Sequence, residues 1–120
     1  MTDTPIEVTV YKYLKDWLSI NGQDTKVYTE YPSNPPASFF VVDLIGTSGS
    51  VFVYDTTVAI QAWSASKLGA ATMMEQIKRA MVDIISQDRI IRCDLQSMYP
   101  FPDMDSKQYR YQAVFELKHY

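Results

Sequence analysis

Four groups of residues have types that chemistry uses. His119 is the only histidine and stands one residue from the end of the sequence, where a strand is expected to fray, so a Ser-His-Asp or Cys-His relay would lack a firmly held base. Cys93 is the only cysteine; it falls on the apolar side of a predicted strand and reads as a small buried hydrophobe rather than a nucleophile. Asp103 and Asp105 form an Asp-x-Asp in a Pro-rich loop. Two carboxylates suit a hard cation, but such an ion takes about six oxygen ligands and no third one is evident, so turn formation is the plain reading. The run Gly46-Thr47-Ser48-Gly49-Ser50 is small and flexible, yet it has no lysine and opens no helix, so it reads as a hairpin tip rather than a phosphate cradle. Zinc has no ligand set. No catalytic residue, metal or cofactor is therefore expected.

Composition narrows the classes further. The 120 residues are 47% hydrophobic and 21% charged with a net charge of -3, which suits one domain spanning residues 1–120. A lone cysteine excludes an intramolecular disulfide. Eleven Lys and Arg against fourteen Asp and Glu, with no long basic run, is a poor composition for gripping phosphate backbones. Nine tyrosines invite a base-stacking role, but Tyr109 and Tyr111 share an apolar strand face with no basic residue between them, so core or interface use is preferred. Residues 1–5 have no basic or apolar leader character, and no window approaches the roughly 18 apolar residues of a spanning helix, so no membrane association is expected.

The elements that would position these groups can be read from periodicity. Thr4-Pro5-Ile6-Glu7 predicts a helix start with Thr4 as N-cap and Glu7 closing a capping box. Ile6, Val10, Leu14, Trp17 and Leu18 then form one stripe to Ile20. Lys26 to Tyr31 and Ser38 to Ile45 read as strands separated by the rigid Pro32 to Pro36 segment, and the glycine-containing tip follows. Val51 to Tyr54 and Thr56 to Trp63 read as a strand pair or one strand bent at Asp55, with Val58, Ile60 and Ala62 on one face and Thr57, Gln61 and Trp63 on the other. Ser64 or Ser66 caps a second helix to about Ile85, buried through Ala70, Met74, Ile77, Met81, Ile84 and Ile85. Two alternating strands close the chain: Ile90 to Met98, with Ile91, Cys93 and Leu95 on one side, and Gln108 to Lys118. Between them lies a Pro- and Asp-rich loop from Tyr99 to Ser106.

This order predicts an α+β fold with a mostly antiparallel or mixed sheet and both helices on one face. The opposite face is left without a third layer. Trp63 on that face, and Phe101 and Met104 in the loop, are surplus apolar side chains that subunit contacts would explain.

A helix, then Val27 to Tyr31 with Pro32, the Pro35-Pro36 step, Phe39-Phe40-Val41-Val42, a glycine-containing tip, Asp55 and Val58 to Ser64 follow in order. A long helix with Ser66, Ala70 and Ala71 near its start, Pro102-Asp103 and Tyr109-Arg110-Tyr111 complete the series. In this order the chain resembles the tail terminator, or tail completion, proteins of long-tailed bacteriophages over nearly its whole length. The paired glycines usual at that family's tip are here the separated Gly46 and Gly49. The resemblance implies a virion protein assembled in the host bacterial cytoplasm, forming a hexameric ring on the head-proximal end of the tail tube. Its partners would be further copies of itself, the tail tube protein and a head-neck connector protein, with phage DNA passing through unbound. Gly46, Gly49, Trp63, Phe101, Asp103 and Met104 are the expected interface residues. Another neck component, a head-closure or connector subunit, is the alternative.

Overall fold

A computed structural model describes residues 4–101 and 108–120. Helix α1 spans Ile6–Ile20 and turns the predicted stripe inward, burying Ile6, Val10, Leu14 and Leu18. Its cap differs from expectation. Pro5 occupies the N-cap position with extended backbone, no side chain caps the helix, and the Pro5 carbonyl accepts from the Val8 and Thr9 amides. Thr4 instead offers its carbonyl to the Arg89 guanidinium.

Strand β1 is only Lys26–Tyr28, shorter than predicted, and pairs in parallel with β2, Phe39–Gly49. Strand β3, Tyr54–Ser64, pairs antiparallel along all of β2. Two expectations are corrected here. Gly46 to Gly49 is not a loose tip but the continuation of β2, and Asp55 is not a break, since it sits in the ladder between Ser48 and Lys118. A bulge at Ile45 shifts the register by one residue after Leu44, and the turn proper is Ser50 to Val53, closed by the Ser50 amide on the Val53 carbonyl.

Helix α2, Lys67–Val82, is capped by Ser66, whose hydroxyl accepts from the Gly69 amide at 2.9 Å. It ends earlier than its apolar stripe. Ile84 is buried in a short 3-10 turn, Ile84–Ser86, whereas Ile85 is 56% exposed. Strands β4, Ile90–Pro100, and β5, Tyr109–His119, complete a mixed sheet in the order β1-β2-β3-β5-β4.

Both helices pack on one face, where Phe40, Val42, Val58, Ile60, Ala62, Ala113, Phe115 and Leu117 meet the two helical stripes in one core. Each buried Val, Leu, Ile or Phe among them contributes about 1.5–3 kcal/mol of burial. The Tyr13 hydroxyl donates to the Ala80 carbonyl and ties the helices together; burial first, and the Asp83 charge next, push its pKa up to about 12. The fold is α+β, with two helices on one side of a five-stranded mixed sheet.

Strand β4 departs from simple alternation. Bulges at Ile91 and Gln96 place Ile90, Cys93, Leu95 and Met98 opposite His119, Leu117, Phe115 and Ala113 on the helix side. Ile91 is thereby displaced and 42% exposed, because an extra residue in one strand shifts every later side chain.

Candidate assembly surface

Strand alternation sends Phe39 and Val41, Gln61 and Trp63, and Arg110 and Gln112 to the face opposite the helices. The β1 end of that face is a built aromatic cluster. Phe39 and Trp63 stack with ring centroids 5.7 Å apart and planes 7° from parallel. Tyr31 crosses above both, edge-on, at 5.6 Å from Phe39 and 5.0 Å from Trp63. The Arg110 guanidinium lies 4.7 Å from the Trp63 ring and 3.9 Å from that of Phe101, so the cation is held between two rings. Its Nε donates to the Phe101 carbonyl at 2.7 Å.

Polar side chains extend this cluster across the sheet. Trp63 Nε1 donates to Gln61 Oε1 at 3.2 Å, Gln61 Nε2 to Gln112 Oε1 at 3.0 Å, and Gln112 Nε2 to the Tyr99 hydroxyl at 2.6 Å. A chain of satisfied amides on a rigid sheet fixes the rings that border it.

Trp63 is on the expected face, but it is only 4% exposed. It supports a surface made by others. Tyr31, Tyr99 and Phe101 are 38–46% exposed around it, giving with Arg110 the tyrosine- and arginine-rich composition typical of contact surfaces. Asp103 and Met104 lie outside the described residues.

The other end of β3 carries a different surface. The β2–β3 hairpin ends in Val51 and Phe52, 78% and 77% exposed, with Leu44, Ile45 and Tyr54 exposed beside them. Gly49 permits the turn: its φ is +150°, and a Cβ there would lie 2.5 Å from the Val53 carbonyl oxygen. Gly46 meets no such restriction, its Cβ direction being open.

A polar chain, buried at Thr56 and His119, braces this hairpin. Thr47 and Thr56 hydroxyls lie 3.0 Å apart, and Thr56 Oγ1 lies 2.7 Å from His119 Nε2. His119 Nδ1 is 3.0 Å from the Tyr120 carbonyl, which only accepts, so Nδ1 carries the proton and Nε2 receives the Thr56 hydroxyl. His119 is 3% exposed rather than frayed. Burial lowers its pKa, with Arg89 adding to the effect, and the Tyr120 carbonyl and Asp55 oppose it. This imidazole is a structural acceptor in a closed chain.

Burial, then Asp94, push the Cys93 thiol up to about 12, far from a reactive thiolate. Among the described residues no three His, Cys, Asp or Glu side chains group to hold a metal, and no helix is long and apolar enough to cross a membrane. Tyr31 and Arg110 were not singled out by residue type or spacing. The sequence signal for them was no more than an excess of tyrosine.

No protein-family model and no curated protein matches the sequence. Among solved structures, the chain is similar to one from "Virion of native gene transfer agent (GTA) particle", with a TM-score of 0.68 at 17% identity. The likeness covers 94% of this chain and 92% of the other. At that identity the two share a fold from end to end.

Proposed function

We propose that this protein is a structural subunit of a phage-like virion, and specifically a tail terminator. It would form a ring on the head-proximal end of the tail tube, stop tube polymerisation and present the surface that joins tail to head. The observation that carries the reading is the full-length fold likeness to a chain of a virion particle, on a molecule whose two prominent surfaces are unlike each other. A ring is closed by heterologous contacts, which require two different patches on every subunit. The aromatic face around Tyr31 and Arg110 and the apolar hairpin tip supply such a pair at opposite ends of β3.

The order of elements and residues shared with tail terminators supports the finer assignment. In this reading the partners are other copies, a hexamer in the family, together with the tail tube protein and a head-neck connector protein. DNA passes through the ring without specific binding, as suits a chain with net charge -3, because carboxylates repel phosphates. A head-closure or connector subunit is the second reading, favoured by the same fold likeness. Removing the gene separates them: overlong tails support the terminator, whereas normal-length tails beside unjoined heads support the neck component.

A further inference from the structure

The sheet has three stretches of backbone edge, and they are guarded differently. β1 is three residues long and is followed by Pro32, Pro35 and Pro36. β4 is long but carries two bulges, the exposed Arg92–Asp94 pair and Pro100. Shortness and prolines protect β1 from strand pairing, and on β4 the bulges and Pro100 confine regular pairing to the short run Arg92–Leu95. The third stretch is the outer edge of β2. Because β1 covers only Phe39 to Val41, no described strand lies beside β2 beyond that point. Past the bulge at Ile45, Gly46 to Gly49 is a regular, exposed edge within a segment, Leu44 to Tyr54, that has no charged residue and no proline.

Beneath this edge, on the helix side, runs a groove of about 670 Å³ lined by Leu44, Thr47, Val51, Phe52, Tyr54 and the first turn of α1. A free edge offers backbone hydrogen bonds, and a groove under it accepts every second side chain of an added strand. Together they define a strand-addition site.

We propose that this site is filled by a second copy of the chain, whose β4 lies along Gly46–Gly49 through Arg92–Leu95. The proposal rests on the ring reading above. Distal β2 and β4 are opposite edges of one sheet, so joining them repeats the same contact from copy to copy, as a heterologous ring interface requires. The bulges at Ile91 and Gln96 bracket Arg92–Leu95 as a regular run, and laying Leu95, Asp94 and Cys93 antiparallel opposite Thr47, Ser48 and Gly49 keeps helix-side residues opposite helix-side ones.

The flanks and charges also match. Beside β4 on the helix side, Leu95 at 45% and Val82 at 71% exposure line an apolar groove, the complement of Val51 and Phe52 on the neighbouring tip. Copies of net charge -3 repel one another, so the least costly contact is one without net charge on either side. The hairpin tip carries none, Glu7 and Arg89 in the groove beneath it are of opposite sign, and on the β4 side Arg92 and Asp94 cancel at 2.7 Å while Lys78 pairs with Glu75 at 3.2 Å.

The test uses the full chain in a Cys93→Ser background with Thr47→Cys and Leu95→Cys, both on the helix side of their strands. Catalysed oxidation of assembled protein is expected to give intermolecular disulfides and a covalent ladder up to the ring. Ser48→Cys, on the open side, should give none in place of Thr47→Cys. Ser48→Lys alone should weaken assembly at least tenfold by light scattering with an unchanged melting temperature. Rings that form without the ladder, and with Ser48→Lys assembling normally, overturn this contact and leave the ring reading standing. Failure of the parent protein to assemble, alone or on tail tubes, overturns both.

Discussion

Replacing Trp63 by alanine distinguishes a surface tryptophan from one that supports the surface. The side chain is 4% exposed, stacked on Phe39, crossed by Tyr31 and covered by Arg110. Truncating a buried Trp costs about 3–5 kcal/mol through lost burial and the cavity left behind. A domain of this size has a total stability of about 5–15 kcal/mol, and each kcal/mol moves its melting temperature by about 4 °C. Trp63→Ala should therefore lower the midpoint by about 12–20 °C, measured by far-UV circular dichroism. Arg110→Ala removes only the cation held between the rings, about 0.5–2 kcal/mol, and should lower it by about 2–8 °C. A fall of less than about 2 °C for Trp63→Ala would refute the reasoning, because it would show that the stack does not form in solution.

Three further outcomes follow from the same geometry. Gly49→Ala should destabilise by about 1–3 kcal/mol in urea titrations, since the backbone has positive φ and the methyl meets the Val53 carbonyl, whereas Gly46→Ala should stay within about 0.5 kcal/mol. His119 has a lowered folded-state pKa, so its contribution is complete above the unfolded value of about 6.5 and is lost as pH falls below it. A urea-midpoint series from pH 7.5 downward should show that loss in the parent and a shallower one in His119→Asn. Phe52→Ser, at a side chain 77% exposed, should leave the monomer's stability within about 0.5 kcal/mol while shifting light-scattering mass toward monomer.

The helices and the central strands were legible because their burial follows a period. Ile6 to Leu18 and Ala70 to Met81 recur at helical spacing, and Val58, Ile60 and Ala62 at strand spacing, so one face of each had to meet a core. The presence of a hairpin was legible, but the reach of its strands was not. Gly46, Ser48 and Gly49 have the composition of a loop, and only their register with Tyr54 to Thr57 holds them extended. Nor does alternation reveal a bulge, which is why Ile91 left its predicted face.

The candidate surface was half legible for a related reason. Trp63 could be placed on the open face from its spacing, but the cover over it comes from Tyr31 and Arg110, far away in the chain. Local patterns carry no record of such contacts. His119 illustrates the same point: proximity to the end of the chain suggested fraying, while pairing with Tyr54 and bonding to Thr56 bury it.

The ring proposed above closes through unlike surfaces, and its formation can be measured. Light scattering of the purified chain over a wide concentration range and in the presence of tail tubes, with electron microscopy of the same samples, tests it most directly. Closed rings with a central hole, free or seated on tube ends, are the expected result. A monomer under every condition, with no density added to the tubes, would contradict it.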